Sequence, residues 1–219
     1  MKFENTSVYN IYNAILGARN PMNSWNKSDS IFKGFNGKIE NTEIGEKDLQ
    51  LMQTLIKAGS EHRKFMRQIF VCVDITAPLY WWKEFDTYKV ATVSNSCSTM
   101  HKLADTPITL ECFEMGDFSP LIDNFKIDLS WQTVVTYLEQ LRQKYNETKD
   151  KRYWKELIRL LPESWLQKRT VTMNYENLLG ICSKGQRRFH KLTEWSVDFI
   201  QWARTLPYAQ EFIFIDKIK

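Results

Sequence analysis

Residues Ala77 to Met100 read APLYWWKEFDTYKVATVSNSCSTM, and their residue types change character twice along the run. Just upstream, Ile69, Val71, Val73 and Ile75 alternate with Phe70, Cys72 and Asp74, a period of two rich in β-branched side chains that predicts a strand ending near Thr76. Pro78 suits the first turn of a helix, where a missing N–H costs nothing, and Leu79, Trp82, Phe85 and Asp86 continue a helical stripe. The following VATVSNSCST is β-branched and hydroxyl-rich, so it is expected to be extended or looped.

The remaining chain carries further helical signals. Leu49, Leu51, Met52, Leu55 and Ile56 fall at helical spacing within 48–58, and Gly59 supplies a left-handed stop. Ser130 is placed to cap WQTVVTYLEQLRQKYNE, in which Val134, Tyr137, Leu138, Leu141 and Tyr145 recur on one side. Helices are also expected in YWKELIRLL, stopped by Pro162, in MNYENLLGIC, and in LTEWSVDFIQWART up to Leu206-Pro207. Residues 1–20 read as structured, whereas 21–47, rich in Asn, Ser, Gly and Lys, read as loops. With no internal repeat, a single domain spanning 1–219 and an α+β class follow.

Composition narrows the function. Thirty basic against 26 acidic residues leave +4 with no long one-sign run, which argues against a nucleic acid polymer as partner and is compatible with a small anionic ligand. Cys72, Cys97, Cys112 and Cys182 form no metal-spaced pattern, so neither a metal site nor a disulfide framework is expected, and a reducing cytosol fits. Neither a signal-peptide apolar region nor a run of about 20 apolar residues is present, so a cytoplasmic chain without a membrane span is expected.

The 77–100 segment aligns without a gap on the pattern Gln-x-x-Arg-His-Arg-x-x-Ser-x-Asn-x-x-Ser-x-Arg-Tyr that follows an Ala-Pro helix in the flavin-dependent thymidylate synthases, and in this register the chain resembles that family. A second block, LLPESWLQKRTVTMNYENL, matches the late family pattern of Leu-Pro, a strand and Asn-Ala-Arg, with Leu161-Pro162 and Asn174 in register. His62 counts back to the His that opens the family's His-x-Ser/Thr-x-x-Glu-His flavin segment. The resemblance implies the thymidylate synthase-complementing-protein-like fold, an antiparallel sheet core with flanking helices. It also implies a homotetramer in which FAD, dUMP and methylenetetrahydrofolate meet, with reduced nicotinamide as a further co-substrate.

Carried over by position, the resemblance assigns His62, Thr87, Tyr88, Lys89 and Asn174 to the cofactor, and Glu84, Ser96, Cys97, Ser98, Thr99, Arg187 and Arg188 to the substrate. Cys97 stands at the signature Ser and is the candidate catalytic position; a small buried thiol is the alternative reading. The polar signature is largely replaced. Arg-His-Arg has become Thr87-Tyr88-Lys89, and a lysine cannot reproduce the guanidinium fork on a phosphate. The Arg of Asn-Ala-Arg is Glu176, which reverses the sign beside an expected phosphate, while the early Glu-His is Arg67-Gln68. Lys184, Arg187, Arg188, His190 and Lys191 form a dense basic cluster, read either as a replacement phosphate grip or as a solvated helix end. Tyr80, Trp81, Trp82 and Tyr88 could stack a ring or fill a core. Two functions remain: an FAD-dependent enzyme acting on dUMP or a related pyrimidine nucleotide, and a family descendant that kept the oligomeric scaffold and lost catalysis. An unrelated α+β chain is the third alternative.

Overall fold

The computed structural model describes residues 1–35, 38–115 and 130–215. In chain order its elements are β1 (Lys2–Tyr9), α1 (Ile11–Ala18), β2 (Ile31–Phe35), β3 (Lys38–Glu43), α2 (Glu46–Lys57), β4 (Phe70–Pro78), α3 (Leu79–Phe85), β5 (Val93–Ser96), α4 (Thr99–Lys102), α5 (Trp131–Thr148), α6 (Lys151–Leu160), β6 (Leu166–Asn174), α7 (Tyr175–Cys182), α8 (Lys184–Arg187), α9 (Ile200–Arg204) and α10 (Ala209–Phe212). A π-helical segment, Glu194–Phe199, leads into α9. A four-stranded antiparallel sheet has the order β1-β4-β6-β5, and β2 pairs with β3 in a separate antiparallel ribbon. The chain is thus α+β, as its sequence pattern indicates. Among the described residues no helix is long and apolar enough to cross a membrane.

The β4 alternation is realised in burial. Val71, Val73, Ile75 and Ala77 are buried, while the residues between them are not. Pro78 leaves the strand extended at φ −69 and ψ 154 and sits immediately before α3, where its lack of an N–H does no harm. α5 begins where expected, with Ser130 accepting from the Thr133 N–H. α2 ends at Ala58, and Gly59 takes φ +108, a conformation in which a Cβ is strained.

β2 and β3 correct the sequence reading of 21–47 as loops: 31–35 and 38–43 pair as antiparallel strands, with Ile31 opposite Glu43, Phe32 opposite Thr42 and an irregularity at Lys33/Gly34. The polar composition hid the pairing, because this two-stranded ribbon carries no long apolar alternation.

The chain forms two compact units, the first made of Met1–Lys2, Ile75–Thr87 and Asn95–Thr170, the second of Phe3–Asp74, Tyr88–Ser94 and Val171 onward. In the first unit Leu103, Ile108, Phe113, Val135, Leu138, Leu141 and Leu157 make one apolar cluster, closed by Trp131, Tyr153 and Trp165. In the second, Trp195, Phe199, Phe212, Tyr175, Met52 and Met66 are buried. Tyr175 also anchors the chain end by donating its hydroxyl hydrogen to the Pro207 carbonyl at 2.6 Å.

Candidate functional site

The positions singled out by resemblance divide between the units. Glu84, Thr87, Ser96, Cys97, Ser98 and Thr99 lie in the first; His62, Tyr88, Lys89, Asn174, Arg187 and Arg188 lie in the second.

In the first unit the α3 aromatics are core. Trp81, Trp82 and Phe85 are buried, with Trp81 stacked on Phe85 at 5.1 Å and set edge-on to Trp82 at 4.8 Å. Stacking on a ligand ring is therefore not available to Trp81 or Trp82. Thr87 turns its hydroxyl back onto the Glu84 carbonyl at 2.7 Å, closing the C-terminus of α3. Cys97 is exposed, contrary to the buried alternative, and its backbone is fixed: its N–H donates to the Lys168 carbonyl at 2.9 Å and its carbonyl accepts from Gln167 Nε2 at 2.9 Å. Ser98 caps α4 by accepting from the His101 N–H, and Thr99 is the first residue of that helix. One cation here escaped the sequence reading. Arg169 lies 4.3 Å over the Trp82 ring and donates to Asp86 at 2.8 Å and to Gln167 at 2.9 Å, so it serves this unit's own framework.

In the second unit several expected ligand groups are occupied by the protein itself. Asn174 is buried and forms a reciprocal capping box with Asn177, each side-chain oxygen accepting from the other's backbone N–H at 2.9 and 3.0 Å. Tyr88 places its hydroxyl 2.9 Å from His190 Nε2 and accepts from Gln186 Nε2 at 2.9 Å, while the imidazole stacks on Trp195 at 4.6 Å. His190 is only 4% exposed, which removes it from the expected basic cluster. Arg187 is half-buried 6.0 Å from the Phe214 centroid, whereas Arg188 is exposed over Phe189. The cluster is thus split between core and surface, because aromatic partners hold its planar members. His62 is exposed in a turn closed by its N–H on the Gly59 carbonyl at 3.1 Å. Lys89 is exposed.

Glu176 is the informative position. Its carboxylate accepts from Arg63 Nε at 3.0 Å and is also gripped by Arg67 through Nε. Burial alone would raise its carboxyl, but the hydrogen bonds from Arg67 and Arg63 and their charges outweigh burial and hold it below the ordinary carboxylate range. The sign reversal expected to repel a phosphate is therefore compensated on the spot. Both members of this pair, Arg67 and Glu176, carry the opposite sign from the Glu and Arg that the resemblance places there.

Beside it a cleft of about 580 Å³ is lined by Lys57, Arg63, Leu179, Gly180 and Ser183, among others. Arg63 lines the cleft while paired with Glu176, Arg67 is shared between Glu176 and the nearby Glu61, and Lys57 adds a further cation to the wall. An added Cβ at Gly180 would meet nothing within 4 Å, in keeping with the open space there. The arrangement suits an anion. Lys57 was not singled out from the sequence, since a lysine in the last turn of a helix is ordinarily explained by the helix dipole.

No family model matches the sequence, and no curated protein matches it. Solved structures do. Two crystal structures of the flavin-dependent thymidylate synthase ThyX from Helicobacter pylori, each with FAD and dUMP, align over 100% of this chain and 100% of theirs at 16% identity and a TM-score of 0.70. The fold of this chain is the fold of those enzymes.

Proposed function

We propose that this chain is a flavin-dependent thymidylate synthase-like protein that binds FAD and acts on dUMP or a related pyrimidine nucleotide. The reading is carried by the full-length correspondence of fold with proteins complexed with both ligands. The residues around the α7 cleft fit the phosphate portion of a flavin, because the space is of nucleotide-binding size and its wall carries Lys57 and Arg63 in excess of the neighbouring carboxylate. Lys57 would hold a phosphate as a point charge and Arg63 as a fork, with Glu176 fixing the guanidinium plane. Bound flavin would supply the hydride that completes a methyl group on the pyrimidine, with methylenetetrahydrofolate as the carbon donor and reduced nicotinamide as the reductant. Protein groups then orient the reactants. The exposed segment 96–99, with its hydroxyls and the Cys97 thiol, is the proposed substrate contact, and a homotetramer is the proposed assembly.

A second reading, an oligomeric scaffold without catalysis, is favoured by one observation: Tyr88 and Asn174, where the resemblance puts flavin contacts, and Glu176, where it puts an arginine beside a phosphate, are engaged inside the chain. The visible absorption spectrum of the protein, incubated with FAD and desalted, separates the two. The first reading expects retained flavin bands and an affinity reduced about tenfold or more in Lys57→Ala/Arg63→Ala. A protein that stays colourless and leaves FAD fluorescence unchanged at micromolar concentration establishes the second.

A further inference from the structure

The first unit holds a cleft of its own, of about 430 Å³, whose wall includes Tyr145 and Trp154, the cations Lys149 and Lys151, and His101 and Asn146. None of these residues takes part in the flavin reading. We infer that this cleft is a nucleotide site, in which an aromatic base lies against Tyr145 and Trp154 and the phosphate meets Lys149 and Lys151.

The aromatic wall is held in place. Trp154 donates its indole N–H to the Met100 carbonyl at 3.1 Å, which ties α6 to α4 and fixes the ring, and Asn146 donates to the Ala104 carbonyl at 2.8 Å from the neighbouring turn of α5. A fixed aromatic surface suits a base, since every base has a π face and little conformational freedom is lost on stacking. The cleft volume is within the range of small-molecule sites.

The charges favour an anion. Three nearby acids are each committed to another cation: Asp105 to Lys102 at 2.7 Å, Asp150 to Arg152 at 2.6 Å, and Glu147 to Lys144 at 2.8 Å. Among the described residues neither Lys149 nor Lys151 is ion-paired with a carboxylate. Lys149 adopts φ 56 at the C-cap of α5, a left-handed position that usually goes to Gly or Asn, and its ammonium lies 5.6 Å from the Tyr145 ring centroid. An aromatic wall with two ammonium groups at its edge, neither held by a carboxylate and that of Lys149 over the Tyr145 ring, is the complement of a ring that carries a phosphate. Asp105 lines the same cleft, and its pairing with Lys102 keeps it from cancelling them.

Calorimetric titration of the full chain tests this in a Lys57→Ala/Arg63→Ala background, so that the second-unit cleft does not contribute. The probes are adenosine 5′-monophosphate, adenosine and inorganic phosphate. The nucleotide should bind at one site, at least about tenfold more tightly than either half alone, and Lys149→Ala/Lys151→Ala should weaken it about tenfold or more. Trp154→Phe should retain binding and Trp154→Ala should lose it. Absent nucleotide binding, binding indifferent to the lysine pair, or phosphate or adenosine bound as tightly as the nucleotide would each overturn the inference. The lysines are surface residues, so their variants fold.

Discussion

Glu176 shows how a single reversed charge is tolerated. With two guanidiniums on one partly buried carboxylate, Glu176→Ala leaves two like charges facing each other and should cost about 1–2 kcal/mol, read from urea unfolding. Arg67→Glu alone should also lower the urea midpoint, by setting two carboxylates together, and the double variant Arg67→Glu/Glu176→Arg should recover most of the loss of either single change. Failure of that rescue would show that the pair does not act as a unit. Glu139 gives the clearest pH dependence. Hydrogen bonds from Arg142, opposed by burial and aided by the Ile108 N–H and Gln143, bring its carboxyl from 4.5 to about 2. A depressed carboxyl stabilises the fold above its unfolded value and loses that contribution as pH falls through the folded one. The urea midpoint should therefore drop between pH 4.5 and about 2, and Glu139→Gln should flatten that drop. The Glu139 pair with Arg142 is local, three residues along one helix, whereas the Glu176 set was not legible in the sequence, because Arg63 and Arg67 lie more than a hundred positions from it. The resemblance located Glu176 and Arg67 separately, and only the fold joins them.

At the level of elements, period and end signals located β4, α2, α5 and the start of α3, since each pairs a regular apolar spacing with a cap or a stop. The polar joint around α2 was not visible in the same way. Gly45 at its N-cap has no side chain to offer, so Asp29 supplies the missing acceptor, taking the Lys47 N–H at 2.9 Å and the Asp48 N–H at 3.1 Å. An added Cβ at Gly45 would stand 2.4 Å from Asp29, which explains the glycine. Asp48, fully buried in the first turn of the helix, accepts from Arg19, Ser28 and Ser30, all at 2.6 Å. Burial would raise the Asp48 carboxyl, yet the two serines and Arg19 hold it below its ordinary value. These four residues bind α1, the 28–30 segment and α2 into one joint. Asp48→Ala would leave the Arg19 guanidinium, 5% exposed, without its carboxylate, at a cost of about 3–5 kcal/mol. Thermal unfolding of Asp48→Ala should show a Tm lowered by many degrees, and a shift of a degree or two would mean that the joint reorganises freely.

For the whole molecule the open question is assembly. A chain of this fold and a charge of only +4 has little electrostatic self-repulsion to oppose association. Apolar side chains also stand out where no core explains them: Val90 is 83% exposed and Val93 66%, on either side of Ala91, which is held at φ 58. A left-handed alanine costs about 1 kcal/mol and persists only where surrounding contacts demand it, and the Asn177 side chain does fix this turn by donating to the Val90 carbonyl at 2.6 Å. A strained, pinned turn that presents two valines to solvent is poorly explained as an isolated surface, and it is well explained as a subunit contact within the proposed homotetramer. Native mass spectrometry should then find the four-chain species in the wild type. Val90→Asp/Val93→Asp should shift it to smaller species without loss of secondary structure by circular dichroism, because neither side chain is buried within the chain. A tetramer indifferent to both aspartates would place the contact elsewhere, and a monomeric wild type would remove the reason for the turn's exposed valines.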